Sequence, residues 1–168
     1  MSRAFVKESD DDLTAGELPE RPVPPHVNYV TPRGLELLHG RVRELTEHHE
    51  QLKRDAPDES EAKQKLREIE RDLRYFRSQL ERATLVDTAH QPREEVHFGA
   101  EVQIEDDSGA LQTFTIVGDD EADVSQGRIS WASPLARAMI GAKVGDSVVW
   151  HRPAGEAEVT IVDINYPS

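Results

Sequence analysis

Acidic side chains are concentrated near the middle of the sequence, where residues 55–61 read DAPDESE and include the carboxylates of Asp55, Asp58, Glu59 and Glu61. Carboxylate oxygens are, with water, the ligands that Mg²⁺ prefers. The spacing of Asp58 and Glu61 also fits a capping box, in which a residue before a helix and the residue three positions later satisfy free backbone N–H groups. Both interpretations stay open, because a capping carboxylate still has a second oxygen to offer.

Other residues with the potential for chemistry are few. The chain has no cysteine, which excludes disulfides and thiolate metal sites. His48 and His49 are adjacent, so on a helix they point to different faces, and we expect no metal site there. Ser133 and Pro134 have the order of a helix start, with serine as the cap and proline in the first turn.

The carboxylates lie between two heptad patterns of apolar residues, in which the spacings alternate between three and four. Such spacing is typical of coiled-coil seams. Thr31 and Pro32 suit the start of the first helix. The first seam is Leu35, Leu38, Val42, Leu45, His49 and Leu52, and the second is Leu66, Ile69, Leu73, Phe76, Leu80 and Ala83.

Antiparallel pairing of the two seams predicts where the chain turns. In an antiparallel pair, the numbers of two residues that face each other always add up to the same value. The turn lies at half of that value, which here is at residues 57–58. Pro57 lies there, and proline would break a continuous helix. An intermolecular coiled coil is the alternative, but it would leave Pro57 unexplained. We expect a monomer. Each arm of about 25 residues gives a rod of roughly 35–40 Å.

Patterns elsewhere divide the chain of 168 residues into three parts. Residues 1–28 are acidic and rich in proline and predict a flexible tail. Residues 29–86 predict the helical hairpin, with its tip at residues 55–61. Residues 87–168 contain alternating strands and one short helix after Ser133, which predicts a small, mostly antiparallel sheet domain and an α+β fold overall.

The charge distribution limits the class of partner. The net charge of −13 argues against simple docking on nucleic acid, because phosphate binding needs a basic surface. Residues 87–168 hold 15 acidic and 5 basic residues, whereas residues 31–86 hold 12 of each. We therefore expect a protein partner with basic surfaces. No stretch suits a membrane span or a signal peptide, so we expect a cytoplasmic protein.

Several ordered motifs between residues 29 and 168 resemble the Gre transcription factors (GreA and GreB), with the GreB branch nearest, and their short relatives, the Rnk-type regulators. The motifs are Thr31-Pro-Arg-Gly-Leu-Glu-Leu-Leu, Leu66-Arg-Glu-Ile-Glu-Arg-Asp-Leu-Arg-Tyr, Phe98-Gly-Ala-Glu-Val, Ser133-Pro-Leu-Ala-Arg-Ala-Met-Ile-Gly-Ala-Lys-Val-Gly-Asp and Pro153-Ala-Gly-Glu. The resemblance implies a coiled-coil hairpin followed by a C-terminal domain similar to FKBP-type modules.

The resemblance also implies a transcription elongation factor that is not itself an enzyme. Such factors bind RNA polymerase at its secondary channel, and the acidic hairpin tip stimulates the polymerase's own cleavage of the RNA 3′ end. The Mg²⁺ ions belong to the polymerase. By this resemblance Asp58 supplies a metal ligand and Glu61 orients the attacking water, while Ser133 and Pro134 lie in the segment that docks on polymerase.

Further expectations follow from the same resemblance. A basic face of the hairpin holds the RNA 3′ end, which points to Arg54, Lys63 and Arg67. The chain departs from the family in tip residues, having Ala62 where the pattern has asparagine, and each arm is about one heptad shorter than in cleavage-active members. Seven residues correspond to roughly 10 Å of helix. The alternative is therefore an Rnk-like regulator that occupies the channel, does not cleave and competes with cleavage factors.

Overall fold

Two long helices follow one another in the computed structural model, which describes residues 18–56 and 58–167. Helix α1 spans Pro32–Asp55 and helix α2 spans Ser60–Glu81. The first begins as the sequence predicts, since the backbone N–H of Gly34 donates to Thr31 Oγ1 at 2.9 Å and caps the helix. The chain packs into two units, a hairpin unit (residues 18–24 and 39–81) and a sheet unit (residues 25–38 and 82–167).

The helices of the hairpin unit run antiparallel. The Arg41 guanidinium lies 5.2 Å from the Phe76 ring centroid, and further along α1 His49 Nε2 lies 2.9 Å from Glu70 Oε1. Later residues of α1 thus meet earlier residues of α2. All positions of the two predicted seams are buried or half-buried, among them Ile69 at 2% exposure. Ala83, the last position of the predicted second seam, lies beyond the end of α2 and begins a short strand. The antiparallel helical hairpin is confirmed, whereas Pro57 lies outside the described residues.

Residues 18–24, which the sequence pattern places in a flexible tail of residues 1–28, pack with the hairpin unit. They form neither helix nor strand, yet the Arg21 guanidinium lies 4.0 Å from the Tyr75 ring centroid of α2. Asn28 already belongs to a strand. The composition of the segment gives no sign of this contact, because Tyr75 lies more than fifty residues away from Arg21. Residues 1–17 of the predicted tail lie outside the described residues.

The sheet unit contains two sheets. In the smaller one, β1 pairs in parallel with β2. The larger one has the strand order β5-β4-β3-β7-β6 and is antiparallel except for the parallel pair β4 and β5. The strands are β1 Asn28–Val30, β2 Ala83–Leu85, β3 Glu101–Glu105, β4 Leu111–Val117, β5 Arg128–Ser130, β6 Ser147–Arg152 and β7 Gly155–Asn165. The fold is α+β, with a helical hairpin and a largely antiparallel sheet as predicted.

Alternation along the strands places the apolar core on one side of the larger sheet. Val102 and Ile104 of β3 are buried, while Gln103 between them is half-buried. Helix α3, Pro134–Met139, completes this core with Leu135, Ala136 and Met139. The short helix expected after Ser133 therefore exists because its apolar face covers the sheet.

The compact units divide the chain at different points from the predicted domains. Residues 25–38 and 82–86 pack with the sheet unit, although the prediction placed residues 29–86 with the hairpin. The reason is hydrogen bonding between distant segments: β1 and β2 form a ladder, which the Val86 N–H extends by donating to the Val30 carbonyl at 2.9 Å. Within the described part of the chain, no helix has the length and apolar character that a membrane span requires.

Candidate functional site

The acidic cluster lies at the connection between α1 and α2. Helix α1 ends at Asp55, and its last turn is closed by the Ala56 N–H, which donates to the Leu52 carbonyl at 3.1 Å. Helix α2 begins at Ser60, where the Lys63 N–H donates to the Glu59 carbonyl at 3.0 Å. The two arms thus hold the acidic residues in a short connection at the end of the hairpin.

The carboxylates of this connection are free to interact with other molecules. Asp58, Glu59 and Glu61 are all exposed. Their side chains have no hydrogen bond or ion pair with any other residue of the described ranges 18–56 and 58–167. Within those ranges no three metal-ligating side chains are grouped to hold an ion. The chain therefore presents carboxylate oxygens that a second molecule could use as ligands.

The capping box offered as an alternative for Asp58 and Glu61 is not formed among the described residues. Helix α2 begins two residues after Asp58, and the Asp58 side chain accepts no hydrogen bond from the first turn. Glu61 lies in that first turn, where a negative charge is favourable beside the positive end of the helix dipole. Glu61 therefore stabilises the start of α2, whereas the Asp58 oxygens remain available to another molecule.

Basic residues surround the same end of the hairpin. Arg54 lies in the last turn of α1, where a cation complements the helix dipole. Lys63 and Arg67 lie on α2, one turn apart. All three are exposed and, within the described residues, have no acidic partner. They can thus meet an anionic ligand close to the tip carboxylates.

Ser133 and Pro134 lie at the start of α3 in the sheet unit. Ser133 is the N-cap, and its hydroxyl accepts a hydrogen bond from the Ala136 N–H at 3.4 Å. Pro134 is exposed in the first turn. The structural role that the sequence predicted is confirmed for both residues. Pro134 in addition offers an apolar surface to solvent.

A groove of about 400 Å³ adjoins this helix start, and part of its lining was missed by the sequence analysis. Val149 and His151 contribute to it from β6, together with Arg137 of α3. Val149 is 43% exposed. Alternation along β6 contains the signal, because Val148 and Trp150 point inward and leave Val149 and His151 outside.

Two carboxylates of the sheet unit, Glu121 and Asp119, also make polar contacts that no sequence pattern predicts. Thr31 Oγ1 donates to Glu121 Oε1 at 2.5 Å, and the Glu121 side chain is only 5% exposed. Asp119 accepts from the Ser130 hydroxyl at 2.6 Å and contacts His26 Nε2 at 2.5 Å. The partners of these two carboxylates lie eleven or more residues away along the chain, so only the fold brings them near.

Carboxylates in other turns are occupied by their own segments. The Ser108 hydroxyl donates to Asp106 at 2.6 Å and holds the pKa of that carboxyl below its ordinary value. Ser125 does the same for Asp123, whose pKa is also lowered. These side chains stabilise turns, so they are poor candidates for binding a partner.

Comparison with known proteins gives consistent matches. Residues 91–166 match the family described as "Transcription elongation factor, GreA/GreB, C-term". The chain is 38% identical over 153 residues to transcription elongation factor GreB of Neisseria meningitidis serogroup B, covering 83% of this chain and 94% of that protein. It is 38% identical over 130 residues to GreA of Alkalilimnicola ehrlichii, covering 76% and 75%. The crystal structure of GreA factor homolog 1 (Gfh1) of Thermus thermophilus is 26% identical, with coverage of 83% and 99% and a TM-score of 0.40.

Proposed function

Since the chain belongs to the GreA/GreB family of transcription elongation factors, we propose that it binds RNA polymerase at the secondary channel and promotes cleavage of the RNA 3′ end in backtracked complexes. The observation that carries this proposal is the exposed, unpartnered state of Asp58, Glu59 and Glu61 at the end of an antiparallel hairpin. A carboxylate that stabilises its own chain would have a hydrogen-bond donor or a cation beside it.

Asp58 and Glu61 are proposed to have different roles, Asp58 as a metal ligand and Glu61 in orienting the attacking water. A second Mg²⁺ ion at the polymerase site stabilises the attacking and leaving oxygens of phosphodiester hydrolysis. Asp58 offers oxygens that no neighbour in the described residues occupies, which suits a hard cation. Glu61 is held in the first turn of α2, where it can accept a hydrogen bond from a water molecule and orient it.

Other parts of the chain are proposed to bring the tip into place. Ser133 and Pro134, with the neighbouring groove, form the docking surface of the sheet unit. The excess of acidic residues after position 87 favours a basic surface on the polymerase. Arg54, Lys63 and Arg67 are proposed to contact phosphates of the RNA 3′ end.

The test is cleavage in a polymerase complex that has been stalled in a backtracked position, with RNA labelled at its 5′ end. Addition of the chain and Mg²⁺ should produce shortened RNA. Asp58→Asn and Glu61→Gln should each reduce the cleavage rate at least tenfold, whereas Glu59→Gln, a matched charge change in the same connection, should change it less than twofold. Equal loss in all three variants would show that only the total charge of the tip matters.

A second candidate function rests on the length of the hairpin. The arms have 24 and 22 residues, or about 33–36 Å of helix. The match to GreB of Neisseria meningitidis extends over 153 positions, but 83% of 168 residues is only about 139. About fourteen positions of that relative therefore have no counterpart in this chain. We assign them to the two hairpin arms, which the family resemblance implies are about one heptad shorter each. A shorter rod favours a regulator that occupies the channel without cleavage.

Competition distinguishes the two candidates. A regulator should yield no RNA fragments by itself, yet it should reduce fragment formation by a cleavage-active GreB added to the same complex. The proposed cleavage factor should instead add to the rate. A chain that fails to bind polymerase in a pull-down with purified enzyme would exclude both.

A further inference from the structure

The segment of residues 18–24, here called the strap, makes specific contacts with α2. Glu20 forms a forked ion pair with Arg74, in which Arg74 Nε lies 3.0 Å from both carboxylate oxygens and Nη2 lies 2.5 Å from Oε1. Both side chains are more than half exposed, at 60% and 55%. The ion pair therefore has the geometry of a bidentate interaction, but it is exposed, and dissolved ions can compete with it.

Arg21 anchors the strap beside this ion pair. Its guanidinium carbon lies 4.0 Å from the Tyr75 ring centroid and 5.1 Å from that of Phe76. Its Nη1 lies 3.4 Å from Asp72 Oδ1. Tyr75 is buried although it is not a seam position, and the Arg21 guanidinium lies over its ring. Proline residues on both sides of the Glu20-Arg21 pair restrict its backbone and lower the entropy lost on docking.

Arg74 belongs to a basic stripe on α2. Lys63, Arg67, Arg74 and Arg77 are spaced by four, seven and three residues, which places them on one face of the helix. Glu70 lies on the same face between Arg67 and Arg74, with its Oε1 2.9 Å from His49 Nε2 of α1. All four are exposed. Among the residues that the structure describes, Lys63, Arg67 and Arg77 have no ion pair, whereas Arg74 is engaged by Glu20. The strap thus places a carboxylate in the middle of a surface suited to phosphates.

We propose that the strap is an intramolecular competitor of single-stranded RNA for the basic stripe, with Glu20 occupying the position of a phosphate at Arg74. This inference rests on the proposed function, because RNA is the polyanion that the hairpin would meet beside the polymerase site. Displacement of Glu20 frees Arg74 to contact phosphate together with Lys63, Arg67 and Arg77. The strap thereby weakens binding to RNA until the hairpin reaches a high local concentration of phosphate.

Fluorescence anisotropy with the full chain and a labelled 12-nucleotide single-stranded RNA at low salt tests the proposal without polymerase. Glu20→Gln should raise RNA affinity about two- to fivefold, the range of a surface ion pair. It should also steepen the dependence of log affinity on log salt by about 0.7, since one further phosphate contact forms. Glu47→Gln is the matched control: Glu47 is exposed on the hairpin and has no partner among the described residues.

Arg21→Ala separates the strap from a simple effect of net charge. It removes a positive charge, yet it should raise RNA affinity because the anchor over Tyr75 is lost. Adding Arg74→Gln to Glu20→Gln should return the affinity to that of the original chain. The proposal is overturned if Glu20→Gln behaves like Glu47→Gln, or if Arg21→Ala weakens RNA binding. Either result would leave polymerase binding, which the pull-down measures separately, unaffected.

Discussion

Replacement of Thr31 with valine removes one hydroxyl that makes two contacts at the start of α1. Thr31 Oγ1 accepts from the Gly34 N–H at 2.9 Å and donates to Glu121 Oε1 at 2.5 Å. Valine has nearly the same shape, so the change tests the two hydrogen bonds and leaves no cavity. The Glu121 carboxylate also has a cation nearby, since Arg33 Nη1 is 3.9 Å from its Oε2.

The expected loss of stability follows from these two contacts. An N-cap contributes about 1 kcal/mol. A hydrogen bond to a buried charged group contributes about 1.5–3 kcal/mol, and its loss would leave the 5% exposed Glu121 without its donor. Because the two contacts share one atom, their contributions are not fully additive. We expect a decrease in the free energy of unfolding of about 2–4 kcal/mol.

The two tryptophans allow this loss to be assigned to the sheet unit. Trp131 and Trp150 both belong to that unit, so urea denaturation followed by tryptophan fluorescence reports its unfolding. Thr31→Ser keeps the hydroxyl and should cost less than 1 kcal/mol, a small fraction of the valine effect. Thr46→Val removes a hydroxyl from the hairpin, where Thr46 Oγ1 donates to the Val42 carbonyl at 2.7 Å, and should leave the fluorescence transition unchanged. The reasoning is refuted if the valine and serine variants have equal stability.

Four further substitutions test the packing of the two units and the pH dependence of their stability. Ile69→Ala in the seam should destabilise the hairpin by about 2–4 kcal/mol, measured by circular dichroism at 222 nm; a loss below 1 kcal/mol would contradict tight packing. Gly118→Ala would place a Cβ 2.3 Å from the Tyr29 carbonyl oxygen and should destabilise the sheet unit by about 1–3 kcal/mol. Gly40 has open space around it, so Gly40→Ala should instead stabilise α1 by about 0.5–1 kcal/mol. Burial raises the pKa of Tyr166 above its ordinary value of 10.0, so the folded chain favours the protonated hydroxyl. The free energy of unfolding therefore decreases as the pH rises from 10.0 through the higher pKa of Tyr166 in the folded chain. Tyr166→Phe should therefore show less alkaline unfolding above pH 10.0 than the original chain.

The hairpin could be predicted from the sequence because its information is local. The three-and-four spacing defines which side chains are buried, and Thr31 with Pro32 defines where α1 begins. The core strands followed for the same reason, since the alternation around Val102 and Ile104 matches the pleat of a sheet. In each case the pattern lies within the element that it predicts.

The contacts that could not be predicted join residues far apart in the sequence. Glu20 and Arg74, or Thr31 and Glu121, are brought together only by the finished fold, and no local pattern records such pairs. The roles of Asp58 and Glu61 are a different matter. Their exposure shows that they are available, but the ligand they meet belongs to another molecule, so these roles stay predictions.

Titration of Mg²⁺ in the cleavage reaction of a backtracked polymerase complex tests the central claim most directly. A tip carboxylate that completes a metal site should lower the Mg²⁺ concentration needed for half-maximal RNA cleavage. We predict that the original chain and Glu59→Gln lower this concentration, and that Asp58→Asn returns it to the value for polymerase alone. The account is contradicted if Asp58→Asn supports cleavage at the same rate and the same Mg²⁺ concentration as the original chain.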